Sequence, residues 1–307
     1  MTPTSLPAYL NKKCGSVDAA REALSIEGFE LEEVEPDKLV DHFRDAVKKK
    51  IPRMVVAGGD GTIAAAAAAA ARSDTELAVL PGGTLNHFAK DNGIPTDLAK
   101  AAEVAAGTTV KTVDLGYLED KVFLNTSSIG LYVKFVRVRE QLEKRVGYRL
   151  ASMLAAFRML SDLRMMAVKV EIDGKEQIYR TPLVFIGVSE RELQLPTLGS
   201  RVKDGRRGLH VMVVRGRRPA RLFALALAAV ARGTKEVART PHFESFIADK
   251  VSIDLNRPSA IVALDGELHR MNTPLEYRIE RDALKLVVAP PEPPAEEKET
   301  PKKDSAA

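Results

Sequence analysis

The chain has 307 residues, 45% of them hydrophobic and 29% charged, a globular balance with ample material for a core and for about two domains. The net charge of +4 is mild and aromatic residues make up 5%, which excludes nucleic acid from the expected partners, while a single cysteine, Cys14, excludes an intramolecular disulfide and fits a reducing cytosol. No apolar run reaches the roughly 18–20 residues of a membrane span and no signal peptide is apparent, so we expect a cytoplasmic protein.

Apolar runs alternate with helical patterns in the first third of the chain. They predict strands at 7–10, 29–34, 54–57 and 76–80, and helices at 18–26, at 37–50, from 62 onward and from a Thr96 cap to 106. This order is typical of a parallel sheet with helices on both faces. The first third is therefore predicted to be an α/β domain.

Two glycine-rich loops directly follow predicted strands, Gly58-Gly59-Asp60-Gly61-Thr62 and Pro81-Gly82-Gly83-Thr84-Leu85-Asn86. Glycine lets backbone N–H groups approach an anion, and a helix beginning at Thr62 would point its positive end at the first loop. The hydroxyls of Thr62 and Thr84 add donors. Asp60, expected in an exposed turn, would hold a metal ion or orient another side chain. We expect phosphate binding where the loops meet at the sheet edge, with simple chain reversal as the alternative.

From about residue 114 the pattern becomes mostly strand-like. It predicts strands at 110–118, 122–126, 168–172, 176–179, 183–188, 209–214, 246–255, 260–264, 275–279 and 284–288. Residues 127–130 are expected to open a basic helix at 132–163, and an apolar helix is expected at 222–231. Either helix could be packed in the protein or contact a membrane surface. The predicted division is 1–114 (α/β), 115–289 (β-rich) and 290–307 (a disordered tail).

An Asp-Gly-Glu sequence near the end of the β-rich region carries two carboxylates. Asp265 and Glu267 are two residues apart, so in an extended strand both would face one side and either could serve as a general base. The alternative is an Asp-Gly hairpin turn like that expected at Asp173-Gly174. The spacing alone does not separate the two.

The sequence GGDGT followed by PGGTLNHFAKD resembles the diacylglycerol kinase catalytic-domain family, which includes bacterial lipid kinases and sphingosine kinases. NAD kinases share the first loop but differ in the second. The resemblance implies an N-terminal α/β nucleotide domain, a β-sandwich-like lipid-substrate domain with an acyl-chain cleft, and an active site between them. It also implies ATP and Mg²⁺ as cofactors.

The resemblance also assigns roles to residues. Nucleotide binding is expected at Asn11, Gly15, Gly58, Gly59, Asp60, Gly61, Thr62, Gly83, Thr84 and Asn86. The catalytic residues implied are Asp265, Glu267 and Asp60. A structural magnesium ion would bind the Asp204 side chain, with help from the backbone carbonyls of Arg201 and Arg206.

Some positions depart from the family pattern. His87 replaces an aspartate that normally belongs to the network around the GGDGT aspartate, and it could pair with Asp60 when protonated. Val34 stands where a nucleotide-contacting threonine is common, and Lys203 replaces an acid at the expected magnesium turn. These changes keep a catalytically impaired protein among the alternatives.

The resemblance and the residues together predict a phosphotransferase with an alcohol group as acceptor. We expect an ATP-dependent lipid kinase of phospholipid metabolism that phosphorylates a diacylglycerol-like or sphingoid-like lipid at the inner face of the membrane. The alternatives are a lipid- or nucleotide-binding regulatory protein without catalysis, and a soluble-substrate kinase such as an NAD kinase. A homodimer is left open.

Overall fold

The computed structural model describes residues 5–26, 28–131, 133, 165–193, 198–202, 204–214 and 243–290. Apart from Val133, the helices predicted at 132–163 and 222–231 lie outside the described residues. So do Lys203 and the predicted tail beyond residue 290.

The first third of the chain alternates strands and helices as predicted. Its elements are β1 (Leu6–Asn11), α1 (Val17–Leu24), β2 (Phe29–Val34), α2 (Leu39–Lys48), β3 (Arg53–Gly58), α3 (Asp60–Ala70), β4 (Glu76–Pro81), α4 (His87–Asp91) and α5 (Leu98–Ala106). β1 pairs in parallel with β2 and β3, and β3 pairs in parallel with β4. The order β2-β1-β3-β4 therefore brings the carboxyl ends of β1, β3 and β4 side by side.

Local sequence explains how these helices form. α2 buries Leu39, Phe43 and Ala46, a spacing that places one apolar face against the sheet. Seven of the eleven residues of α3 are alanine, the strongest helix former, and alanines permit close packing on β3 and β4. α5 is capped by Asp97, whose side chain accepts from Lys100 N, and not by Thr96 as expected.

The rest of the described chain is strand-rich. Its strands are β5 (Val110–Leu118), β6 (Lys121–Phe123), β7 (Thr126–Gly130), β8 (Met166–Ile172), β9 (Lys175–Thr181), β10 (Leu183–Val188), β11 (Arg191–Leu193), β12 (Leu198–Arg201), β13 (Leu209–Val214), β14 (Phe243–Ala248), β15 (Lys250–Asp254), β16 (Ser259–Leu264), β17 (Glu267–Asn272) and β18 (Leu275–Val287). Six of them form a sheet in the order β14-β13-β10-β7-β16-β17.

Strand β18 joins the two halves of the molecule. It pairs in parallel with β4 and antiparallel with β5 and β15, so the first sheet continues through β18, β15 and β8 to β9. The far part of this ten-stranded mixed sheet packs on the six-stranded sheet around a common apolar core. The predicted α/β region followed by a β-rich, sandwich-like region is confirmed, and the division at residue 114 stays a prediction.

Several predicted elements need correction. The strand expected at 246–255 is broken into β14 and β15, which belong to different sheets. The strands expected at 275–279 and 284–288 are one strand, β18, with a register shift between Glu280 and Leu284. Residues 127–130 lie in strand β7 and do not open a helix. α3 begins at Asp60, two residues before Thr62.

Candidate functional site

Three loops meet at the carboxyl ends of β1, β3 and β4. Gly82 N donates to Gly58 O at 2.8 Å, which joins the two glycine loops directly. A Cβ atom on Gly83 would lie only 2.9 Å from Gly59 Cα, so the loops touch backbone to backbone. Only glycine allows this approach. The prediction that the two loops meet at one sheet edge is confirmed.

The first loop opens onto the amino end of α3. Gly59 precedes the helix, and the first helical hydrogen bond runs from Ile63 N to Gly59 O at 3.1 Å. The amides of residues 60–62 come before that bond and have no acceptor within the helix. Free amides at the positive end of a helix dipole are groups to which an anion can bind.

Asn11 and Thr62 fix the shape of the first loop. Asn11 Nδ2 donates to Thr62 Oγ1 at 2.8 Å, and Asn11 Oδ1 accepts from Lys13 N at 2.9 Å. The Thr62 side chain lies over Gly58, where an added Cβ would be 2.6 Å from Thr62 Cβ. A Cβ on Gly15 would lie 3.5 Å from Gly82 O, which places the β1 loop against the second glycine loop.

The second loop is closed by Asn86. This buried residue has a left-handed backbone (φ 52°); its Oδ1 accepts from Gly83 N, and its Nδ2 donates to Gly83 O and Pro81 O. Asn86 N also donates to Asp60 Oδ2 at 3.0 Å. The second loop therefore satisfies much of its own polar backbone and braces the first loop.

Asp60 is not in an exposed turn, which corrects the expectation from sequence. One carboxylate oxygen binds Asn86 N, while Oδ1 is buried and has no partner among the described residues. A buried carboxylate oxygen without a donor is costly and marks a position where a cation or a donor fits.

The sequence also singled out Thr84, His87 and Val34 near these loops. Thr84 is exposed at the tip of the second loop. His87 makes no ion pair with Asp60 among the described residues, so the expected pairing is absent. Val34 is buried at the end of β2, and its side chain belongs to the core.

The Asp-Gly-Glu sequence forms a hairpin turn between β16 and β17. Asp265 (φ 45°) and Gly266 (φ 90°) both have positive φ, so the chain is not extended there. The expectation that Asp265 and Glu267 share one face of a continuous strand is therefore wrong.

The Asp265 carboxylate has a structural role, because it accepts three backbone hydrogen bonds. Its Oδ2 accepts from Leu124 N at 2.6 Å, and its Oδ1 accepts from Asn125 N and Thr126 N at 2.8 and 2.9 Å. Burial raises the pKa of this carboxyl, against the lowering effect of the three amides and of the Arg191 charge. Asp265 thus holds residues 124–126 in place, and its carboxylate has little freedom to move towards an acceptor substrate.

Glu267 occupies a different environment. Its side chain is 65% exposed, and its Oε1 lies directly over Gly61 in the first loop. His269 Nε2 lies 3.9 Å from Glu267 Oε2, and burial, followed by the Lys121 charge, lowers the pKa of His269. Of the two predicted carboxylates, Glu267 is the one that reaches the first glycine loop.

Sequence reasoning did not identify a buried ion pair behind the second loop. Arg191 Nη1 donates to Asp91 Oδ2 at 2.8 Å, Arg191 Nε donates to Val188 O at 3.0 Å, and Arg191 N donates to His210 Nδ1 at 2.9 Å. Arg191 comes from the β-rich region, whereas Asp91 ends α4. No local pattern in the sequence signals a contact across 100 positions.

A small cavity lies beside this ion pair. Its volume is about 10 Å³, and its lining includes Asp91, Asn92, Asn125 and Arg191. It has room for one water molecule and none for a lipid chain. The predicted acyl-chain cleft stays a prediction.

At the turn where a magnesium ion is expected, one of the expected backbone ligands already accepts a hydrogen bond. Asp204 is exposed with φ 59°, and Arg206 O accepts from Glu190 N at 3.0 Å. Arg201 lies in β12, paired with Arg191. Within the described part of the chain, no cluster of three or more His, Cys, Asp or Glu side chains could hold a metal ion. A metal at Asp204 therefore stays a prediction.

The first loop offers a better fit for Mg²⁺. The unpartnered Asp60 Oδ1 and the Glu267 carboxylate both lie at this loop, and Mg²⁺ is commonly bound by one or two carboxylates together with substrate phosphates. The donor set is hard oxygen, which suits this ion. The oxygen donors at this loop thus fit a divalent ion such as Mg²⁺.

Comparison with known proteins agrees with this geometry. Residues 11–118 match the family model for the diacylglycerol kinase catalytic domain. The diacylglycerol kinase of Bacillus subtilis is 33% identical over 136 residues, which cover 43% of this chain and 45% of that protein. In sequence, therefore, the chain matches under half the length of this relative.

Solved structures extend the similarity in fold. This chain matches the fold of a crystal structure from Bacillus anthracis with a TM-score of 0.74 at 20% identity. The match covers 93% of this chain and 97% of the Bacillus anthracis chain. A second structure, of a diacylglycerol kinase from the same organism, has a TM-score of 0.67 at 18% identity with the same coverage. The resemblance carried by the two glycine loops is thereby confirmed: residues 11–118 match the diacylglycerol kinase catalytic-domain family, and nearly the whole chain has the fold of its solved relatives.

Proposed function

We propose that this chain is an ATP-dependent lipid kinase that phosphorylates the hydroxyl of a diacylglycerol-like or sphingoid-like membrane lipid. One observation carries the proposal: the Glu267 carboxylate, from the β-rich region, lies over Gly61 at the anion site of the α/β region. A proton acceptor in this position supports phosphoryl transfer from a nucleotide bound at the first loop. The names of the related proteins support the same class of reaction.

In this proposal the first loop holds the phosphates of ATP. The amides of residues 60–62 and the positive end of α3 bind the phosphate oxygens, and the Thr62 side chain stays fixed by Asn11. Gly15, Gly83 and Thr84 line the adjoining loops, whose close packing leaves backbone at the surface of the site. Asn86 keeps the second loop in place.

Glu267 acts as the general base. The lipid hydroxyl oxygen attacks the γ-phosphorus while the bond from that phosphorus to the bridging oxygen of ADP breaks, and the hydroxyl proton passes to Glu267. Asp265 does not take the proton. It is a positioning residue, because the three hydrogen bonds that it accepts from backbone amides hold the turn from which Glu267 projects.

Two carboxylates beside a triphosphate would repel it without a counter-charge. Asp60 Oδ1 is the group that would hold Mg²⁺, which would supply positive charge against the phosphates. The Glu267 carboxylate is then left to take the proton of the acceptor. Asp60 is therefore placed in binding and not in proton transfer.

The acceptor would lie in a bilayer, so we also propose peripheral contact with the inner face of the membrane. Among the described residues, no helix is both long and apolar enough to cross a membrane. The net charge of +4 favours an anionic surface.

A regulatory protein without catalysis is the second candidate. The specific observation in its favour is that His87 stands in place of an acid and makes no ion pair with Asp60 among the described residues. Such a protein would bind ATP without transferring phosphate to any acceptor.

The test uses the full chain with γ-labelled ATP, Mg²⁺ and three acceptors: vesicles containing diacylglycerol, vesicles containing sphingosine, and NAD in solution. Transfer to one of the two lipids is expected. Transfer to NAD alone would identify a soluble-substrate kinase, and ATP binding without any transfer would favour the regulatory protein. Asp60→Asn, which removes a charge but keeps an acceptor for Asn86 N, should abolish most of the transfer, whereas the matched change Asp173→Asn in an exposed turn should not.

A further inference from the structure

Two arginines face each other across the strands β11 and β12. The antiparallel register places Arg191 of β11 directly opposite Arg201 of β12, and like charges in this position repel each other. Burial is the main cause that lowers the pKa of Arg191, against the Asp91 charge, and the Arg201 charge lowers it further. Arg191 is compensated by its ion pair with Asp91, whereas Arg201 has no ion pair with an acidic side chain of the described residues.

A third cation, Lys111 of β5, lies at the same place. Lys111 Nζ donates to Asn92 O at 3.3 Å, and Asn92 lines the cavity beside the buried ion pair. Both arginines line this cavity too. Burial lowers the pKa of Lys111, and the Arg201 charge lowers it further, so these two cations act on each other. In the described part of the chain, Lys111 also has no acidic side chain as an ion-pair partner.

The acidic side chains that line this cavity are already bonded to other cations. Asp91 Oδ2 accepts from Arg191 Nη1 at 2.8 Å. Asp114 accepts two hydrogen bonds from the guanidinium of Arg207. None of these bonds reaches Arg201. The cluster therefore holds positive charge that the acids of the cavity do not neutralise, and an anion would lower its electrostatic energy.

We propose that Lys111 and Arg201 bind a terminal phosphate group beside this cavity, in a site that uses none of the residues of the glycine loops. Such a group has several oxygens and more than one negative charge, so it can accept from an ammonium and a guanidinium together. The cavity admits only a water molecule, so the phosphate lies outside it, where Lys111 is exposed and Arg201 is half-buried. Inorganic phosphate and a lipid headgroup that ends in phosphate share this chemistry.

The position of the two cations determines what binding would do. Lys111 lies in β5 and Arg201 in β12, so one phosphate joins two segments that are distant in the sequence. It also offsets the repulsion between Arg201 and the buried Arg191. Because both effects exist in the folded state alone, phosphate should stabilise the folded chain. The proposal does not rest on kinase activity.

Thermal unfolding of the full chain tests the site at constant ionic strength, with chloride replaced stepwise by inorganic phosphate. The Tm of the unmodified chain should rise with phosphate. Arg201→Gln and Lys111→Gln should each raise the phosphate dissociation constant obtained from this rise by roughly tenfold or more, because each removes a charged hydrogen-bond donor. Arg44→Gln and Lys49→Gln, the same changes at exposed positions in and just after α2, should not. No rise, or an equal rise in all five proteins as a general salt effect would give, would overturn the proposal.

Stability without phosphate separates this site from a structural role of Arg201. Arg201→Gln removes the charge opposite the buried Arg191, so in chloride the variant should be at least as stable as the unmodified chain. A variant clearly less stable than Arg44→Gln would show that Arg201 stabilises the fold itself, and the proposal would then be rejected.

Vesicle binding identifies the source of the phosphate. The same proteins are sedimented with phosphatidylcholine vesicles that contain either phosphatidic acid, whose headgroup is a terminal phosphate, or phosphatidylserine as a charge control. If Arg201→Gln loses binding to the phosphatidic acid vesicles alone, the site takes a lipid headgroup. If its vesicle binding is unchanged while its response to inorganic phosphate is lost, the site takes a free phosphate.

Discussion

The chain uses the same dipeptide for two hairpin turns that have different roles. Asp173-Gly174 joins β8 to β9, and Asp265-Gly266 joins β16 to β17. Their backbones agree closely, with φ of 50° and 74° in the first turn and 45° and 90° in the second. Positive φ at both central residues is the hairpin conformation that Asp-Gly favours. Local chemistry therefore gives both sites the same turn.

The surroundings of the two turns differ completely. Asp173 is exposed, whereas the Asp265 carboxylate accepts three backbone amides. The residue after the first turn, Lys175, is exposed at the start of β9, and the residue after the second, Glu267, lies over the first glycine loop. The comparison teaches that the dipeptide sets the turn, while the elements packed around it set the role.

The largest expected effect is on catalysis. Glu267→Gln keeps the size of the side chain but removes the base, so we expect kcat to fall by about 10²–10⁴-fold with little change in ATP affinity. The matched change after the other turn, Lys175→Gln, should leave kcat unchanged. Steady-state kinetics with the accepted lipid measure both. Near-normal kcat in Glu267→Gln, with a large loss in Asp265→Asn, would move the base to Asp265.

The next effect is on stability. Asp265→Ala leaves three amides without their acceptor, and each unsatisfied buried donor costs about 1–3 kcal/mol, so the free energy of unfolding should fall by at least about 3 kcal/mol. Asp173→Ala should change it by less than about 0.5 kcal/mol. Urea unfolding measures both variants. Equal small losses would show that the Asp265 bonds do not hold the turn.

The sequence predicted the parts of the molecule that depend on neighbouring residues. The parallel strands, both glycine loops and their meeting at one sheet edge follow from apolar runs and glycine positions. The Asp173-Gly174 hairpin follows from the dipeptide. The same reasoning failed at Asp265, because side-chain alternation was applied across a turn that reverses the chain.

The rest depends on contacts between distant segments. Asp265 binds amides about 140 positions earlier, and Arg191 pairs with Asp91 across 100 positions. The split of 246–255 into β14 and β15 depends on which sheet each half joins. No window of sequence contains both members of such a pair, so spacing could not separate Asp265 from Asp173.

The pH dependence of stability tests the surroundings of Asp265 through Arg191, whose charge acts on the Asp265 carboxyl. His210 Nδ1 accepts from Arg191 N, and the pKa of His210 is lowered by burial first, with the Arg206 and Arg191 charges adding to this and Glu190 opposing it. The folded state therefore binds fewer protons than the unfolded state, whose histidine pKa is about 6.5. Stability from this group is complete above about pH 6.5 and is lost as pH falls through the folded pKa.

His210→Gln, which can still accept from Arg191 N, should reduce this loss. When unfolding free energies are measured from pH 8 down to pH 5, the unmodified protein should lose stability relative to His210→Gln below about pH 6.5. Parallel curves would show that His210 is not the titrating group.

The smallest expected difference concerns the glycines of the two turns. Gly174 and Gly266 both have positive φ, and no atom lies within 4 Å of a Cβ added at either position. Alanine at either site should therefore cost only backbone strain, about 1–2 kcal/mol, and the same amount at both. Urea unfolding of Gly174→Ala and Gly266→Ala should give values within about 0.5 kcal/mol of each other. A stability cost clearly larger at Gly266 would mean that the two backbones are not equivalent, and the contrast between the turns would then begin in the chain itself and not in its surroundings.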